Sequence, residues 1–238
     1  LKVVPQDIEK KNRMQKIDSS LPFKILNSEA SIDSLNEIIE KFANFYFLAP
    51  KEITSTESKI INDCYQKFIT LAKTSFNSFY NIFDIVLFWC AKQLLFIQVQ
   101  DDFQGMIKFL MTILTELQNK KQMLSKYEAM IILPTILECN GRNKDEWSQI
   151  YLLISKLTNK NEIMDILISL ISNASSVFSI IGILNALMEM IPSIDIKKYI
   201  DTLQKITENI QNFASQDKES HKELFDISTK FNSFLEKY

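Results

Sequence analysis

Glycine and proline are scarce in this chain: 3 Gly and 5 Pro among 238 residues. A sheet protein of that length needs many more turn residues, so an all-β fold is excluded. The glycines, Gly105, Gly141 and Gly182, are scattered, and neither a phosphate loop nor a dinucleotide fingerprint can be written across them. Histidine is limited to His221. Without a second His or clustered Cys a zinc site has no support, and a Ser–His–acid triad would have to be built in a polar segment near a helix start. Cys64, Cys90 and Cys139 are far apart and odd in number, which fits buried thiols in a reducing compartment. Arginine occurs only at Arg13 and Arg142, so bidentate recognition of phosphate is sparse. A net charge of -2 and a pI near 5.6 lack the basic field of a general nucleic-acid binder. No cofactor, metal or catalytic constellation is expected, and the chain is not read as an enzyme.

What the sequence does have is a 46% hydrophobic content, enough for a sizeable core, and a cadence of helix starts. Thr54-Ser-Thr-Glu57, Ser125-Lys-Tyr-Glu128, Asn143-Lys-Asp-Glu146 and Asn159-Lys-Asn-Glu162 all have the capping-box form. In that form a short side chain takes up an orphan N–H and a Glu three residues on reaches back. The later starts fall about 16–20 residues apart, which is one helix and a tight turn. Two starts make a pair of roughly 35–40 residues, the period of a HEAT-type stack of helical hairpins.

The apolar spacing predicts ten helices. Ile32, Leu35, Ile39, Phe42 and Tyr46 line the first. Ile60, Cys64, Phe68 and Leu71 line the second, and a third runs from Phe79 through Phe83, Val86, Cys90 and Leu94 to Ile97. Phe103, Ile107, Leu110, Leu114 and Leu117 line the fourth. The rest span residues 127–138, 146–157, 162–171, 176–190, 195–213 and 222–237, with Pro134 kinking the fifth. Phe76, Phe79, Tyr80, Phe83, Phe88 and Trp89 sit at helical spacing without interleaved cations and read as core, as do Met106, Met111, Met123, Met130, Met188 and Met190. Asp101-Asp102 lacks a third carboxylate three residues on, where Gly105 stands near, and reads as a helix start. Residues 175–194 carry one charge, Glu189, and read as a central helix packed on both sides, not as a membrane span. Residues 1–20, with Lys10, Lys11, Arg13 and Lys16, read as a polar arm, and 21–238 as one domain.

Phe83-Asp-Ile-Val-Leu-Phe-Trp89, then Asp101-Asp-Phe103, Tyr127-Glu-Ala129, Pro134, Gly141 and Asn161-Glu-Ile-Met-Asp-Ile-Leu167 together resemble a TOG domain. The likeness is to the more C-terminal TOG domains of multi-TOG microtubule polymerases and covers about residues 20–190. It implies an α-solenoid paddle of about five HEAT-like hairpins. It also implies a partner, the αβ-tubulin dimer or microtubule, bound along the edge made by the turns within each hairpin. Carried over turn by turn, that edge comprises residues 48–54, 98–102, 139–145, 171–176 and 212–221. Arg142 and Lys144, in a glycine-containing turn, are its main cations, with Lys51, Lys218 and Lys222 in support. The first turn, Leu48-Ala-Pro-Lys51, lacks the Trp usual in tubulin-binding members, and the fourth, Ser172-Asn-Ala-Ser-Ser176, lacks charge. These departures keep a second reading open, a HEAT scaffold or pseudo-TOG for another protein partner. Either way the expectation is a monomeric domain of a longer cytoplasmic, cytoskeletal protein at microtubules, spindle or centrosome, with no nucleic-acid or membrane partner.

Overall fold

The structure is a computed structural model that describes residues 55–96, 100–142, 144–174, 176–217 and 219–238. The helix expected at 32–46, the arm at 1–20, the first turn with Lys51, the Thr54 and Asn143 cap positions and Lys218 lie outside the described residues. The chain divides into two compact units between Lys121 and Gln122. Among the described residues both are built from α-helices and short 3-10 turns alone.

The first unit contains α1 (Ser55–Thr74), α2 (Phe76–Asn81), α3 (Phe83–Phe96) and α4 (Gln100–Asn119). Its core is aromatic. Tyr65 of α1 stacks on Phe109 of α4 at 4.6 Å, and Phe68 lies between Phe109 at 6.2 Å and Trp89 at 6.3 Å. Phe79, Phe83 and Trp89 are buried as expected, while Phe76 and Tyr80 stack on each other half-buried. The single helix expected from Phe79 to Ile97 is instead two. The chain turns at Ile82, whose N–H bonds the Phe79 carbonyl, and Asp84 enters the first turn of α3, where an acid suits the positive end of a new helix. The buried stripe of α4 is also wider than its spacing suggested. Met106, Phe109 and Ile113 are buried beside Leu110, Leu114 and Leu117, and Ile107 is only half-buried, because α4 must meet the rings of α1. Asp101 and Asp102 occupy the first turn of α4. Cys90 is fully buried, and burial pushes its thiol well above the ordinary cysteine range.

The second unit contains α5 (Lys126–Arg142), α6 (Lys144–Leu157), α7 (Lys160–Ser172), α8 (Val177–Met190), α9 (Ile200–Gln216) and α10 (Lys222–Leu235), with 3-10 turns at Ile191–Ser193 and Ile196–Lys198. The capping box at α5 forms in full: Glu128 Oε2 accepts from the Ser125 N–H and Oγ at 2.8 Å each, and Ser125 Oγ accepts from the Glu128 N–H at 3.2 Å. At α7 only half forms. Asn159 Oδ1 accepts from the Asn161 N–H at 2.9 Å, so the short amide serves the second amide of the helix and leaves Glu162 out.

α8 is the centre of this unit and packs against α5, α7 and α10, burying Ile181, Ile183, Leu184, Ala186, Leu187 and Met190. Each such large side chain contributes roughly 1.5–3 kcal/mol over exposure. Among the described residues no helix is long and apolar enough to cross a membrane. Met106 and Met190 are core, but Met123 and Met130 are exposed: Met123 lies in the loop before α5, and Met130 borders a shallow cleft between α5 and α7, beside Asp165, Ile166, Ser169 and Leu170.

Gly141 corrects the sequence reading. It lies inside α5, not in a turn, and no glycine among the described residues has a positive φ. A Cβ on Gly141 would overlap the carbonyl oxygen of Phe178 in α8 and sit 2.7 Å from its carbonyl carbon. A Cβ on Gly182 of α8 would meet the carbonyl of Leu137 in α5 in the same way, again 2.7 Å from the carbon. The two helices touch backbone to backbone. Alanine normally stabilises a helix interior by about 1 kcal/mol over glycine. Here Gly141→Ala and Gly182→Ala are each expected to cost about 2 kcal/mol or more from overpacking. Gly105→Ala, facing the side-chain tip of exposed Asn62 at 3.3 Å and the Tyr65 ring at 3.8 Å, should be neutral or stabilising. Urea denaturation of the three variants checks the contrast.

Candidate protein-interaction site

Of the five turns expected to form the binding edge, the last three belong to the second unit. α5 ends at Arg142 and α6 begins at Lys144, so these two cations flank the connection directly. The helices are clasped beside it: buried Asn140 accepts through Oδ1 from Ser148 Oγ at 3.0 Å, and Trp147 is buried. The α7–α8 turn is closed by Asn173, whose N–H bonds the Leu170 carbonyl at 3.2 Å and whose Nδ2 bonds the Ser169 carbonyl at 2.7 Å. Ser179 Oγ at the start of α8 donates to Glu138 Oε2 near the end of α5 at 3.4 Å. With the Gly141–Phe178 approach, that bond sets the α7–α8 turn beside the α5–α6 turn.

The α9–α10 turn is organised within its own hairpin. Asp217 Oδ1 accepts from the Ser220 N–H at 3.1 Å, and hydrogen bonds from Ser220 hold this exposed carboxyl below its ordinary range. Phe213 lies against the His221 ring at 4.9 Å. Lys222 opens α10 and is exposed. The structure thus brings Arg142 and Lys144 to one turn, with the uncharged α7–α8 turn as neighbour. Lys222 stands in a separate hairpin, and Lys51 and Lys218 are outside the described residues.

The opposite ends of these helices hold a cleft of about 520 Å³ that no motif or spacing foretold. Tyr151, Leu152, Lys156, Lys160, Glu189 and Met190 are among its walls. Tyr151 donates its hydroxyl to the Ala186 carbonyl at 3.0 Å, and Lys160 Nζ reaches the Ser193 carbonyl at 3.4 Å. Burial pushes the Tyr151 phenol up, and the charge of Glu189 adds to it. Burial also raises the Glu189 carboxyl. Among the described residues no group of three or more His, Cys, Asp or Glu is placed to hold a metal ion.

Solved structures match nearly the whole chain, two of them as follows. One is described by the statement that TOG–tubulin binding specificity promotes microtubule dynamics and mitotic spindle formation; it superposes with a TM-score of 0.65 at 11% identity over 98% of this chain and 94% of that one. The other is the TOG domain structure from C. elegans Zyg9, with a TM-score of 0.61 at 14% identity over 98% of this chain and 89% of that one. The fold is that of a TOG domain. No family model and no curated protein matches the sequence. At this identity the TOG likeness is one of fold alone, so the roles of individual side chains in the turns rest on their own chemistry.

Phe178 and Phe213, both exposed and both near hairpin turns of the second unit, were not singled out from the sequence. Each sits at the end of an apolar helical stripe, and only the neighbours of a terminal turn decide whether it is covered. Glu189 generates a prediction. Its folded-state pKa is raised, so the ionised carboxylate opposes folding at neutral pH, and that opposition vanishes as pH falls through the raised value. Glu189→Gln should therefore raise Tm at neutral pH, and the gain should disappear by about pH 3, where the carboxyl is protonated in both states. Thermal melts at the two pH values check it.

Proposed function

We propose that this chain is a tubulin-binding TOG-like domain of a microtubule-dynamics regulator, acting through the hairpin turns along one edge. Both compact units belong, in this reading, to a single domain. It works as a monomeric module of a longer cytoplasmic protein at microtubules, spindle or centrosome, and its nearest functional counterparts are the more C-terminal TOG domains of the microtubule polymerases. The carrying observation is the placement of Arg142 and Lys144 on either side of one helix–helix connection, next to a second turn of the same edge. Tubulin is acidic, so cations on a shared rim steer association and contribute to contact. In this reading Lys222, at the start of α10, supports that contact, as do Lys51 and Lys218, which lie outside the described residues. The domain performs no chemistry of its own.

A HEAT scaffold for a different protein is the second reading. It is favoured by the uncharged α7–α8 turn and by the cleft at the other end of the helices, where Met123 and Leu152 are exposed. Size-exclusion chromatography with soluble αβ-tubulin separates the two. The wild-type domain should co-elute at low salt and less so at moderate salt. Exposed charges contribute roughly 0–1 kcal/mol each, so Arg142→Ala with Lys144→Ala should weaken the complex several-fold. Unaltered binding by the double variant refutes the rim, and no wild-type complex at either salt favours the scaffold.

A further inference from the structure

Among the described residues, the exposed large apolar side chains of the second unit are Met123, Met130, Leu152, Phe178, Phe213 and Tyr238. Met123 and Leu152 border the cleft at one end of the helices. Phe178 and Phe213 lie at the hairpin turns of the other end. Phe178, the second residue of α8, keeps 39% of its surface open. Its backbone is held more firmly than that of an ordinary helix start. Its carbonyl is seated against Gly141, one residue before Arg142, and the next residue, Ser179, is bonded to Glu138.

We propose that Phe178 is the apolar anchor of the tubulin-binding edge and takes the place of a cation in the α7–α8 turn; this rests on the tubulin reading above. Three observations carry it. The turn before α8 reads Ser172-Asn-Ala-Ser-Ser176, so any contact it makes is uncharged. The one large residue at its exit is aromatic and exposed, which is unfavourable in water and is the composition of an interface centre. The neighbouring helix–helix connection is bounded in the chain by Arg142 and Lys144, so the two turns together offer an aromatic residue and two cations. That composite fits the acidic surface of αβ-tubulin, with charge setting approach and orientation and the ring being desolvated on contact.

The test uses the full chain and purified αβ-tubulin in a titration at low and moderate salt. Phe178→Gln keeps the backbone carbonyl that Gly141 requires, and a thermal melt matching wild type establishes that it folds. Phe178→Leu serves as a second variant that retains apolar area. Phe178→Gln should weaken binding about tenfold or more, by a factor that stays the same at both salt concentrations, and Phe178→Leu by less. Arg142→Ala with Lys144→Ala should instead show a loss that shrinks as salt rises. Leu152→Gln, equally exposed at the opposite end, should leave binding unchanged. Wild-type binding with Phe178→Gln indistinguishable from it overturns the anchor and leaves the tubulin reading standing. Absence of wild-type binding overturns both. A Phe178 variant that dissolves a self-associated dimer without changing tubulin affinity also overturns the anchor.

Discussion

Backbone-to-backbone contact between α5 and α8 is the constraint on which the second unit depends. Gly141 faces the carbonyl of Phe178, and Gly182 faces the carbonyl of Leu137, each glycine four residues after the carbonyl that receives the other. The reciprocity fixes both the separation and the register of the crossing. A slide of one residue along either helix would put a Cβ where only a hydrogen fits. Once the crossing is fixed, Glu138 meets Ser179, the α5–α6 and α7–α8 turns become neighbours, and Tyr151 of α6 reaches the Ala186 carbonyl further along α8. Two glycines among 238 residues thus set two neighbouring turns of the candidate edge side by side.

Much of the fold was legible because helix periodicity and capping chemistry are local. Ser125 and Glu128 form the reciprocal cap their spacing implies, and the apolar run with lone Glu189 is the packed central helix. The misses have non-local causes. Gly141 looked like a turn residue because glycine most often marks one, yet its purpose is close approach to a helix some forty positions away. The break at Ile82 is invisible to a stripe of Phe79, Phe83 and Val86, which stays in phase across it. Met123 and Met130 have the composition of core and the exposure of surface.

The candidate site was less legible than the fold. Charges on turns can be read from a sequence, so Arg142, Lys144 and Lys222 stood out, and their turn positions follow from helix ends. Exposed aromatics cannot be read that way. Phe178 and Phe213 continue apolar stripes, and what leaves them open is the shape of their neighbours. The same holds for the cleft at the far ends of the helices, where buried Tyr151 and exposed Leu152 are adjacent in sequence and face different surroundings.

The clasp of Asn140 and Ser148 beside the α5–α6 connection bears on how quickly a partner could be captured. A loop that must be ordered on contact forfeits roughly 1–2 kcal/mol of conformational entropy per backbone residue frozen. Here helix runs up to Arg142 and resumes at Lys144, so the main chain on both sides is already held in helix. Flanks preorganised in this way have less conformational freedom to lose when a partner is captured.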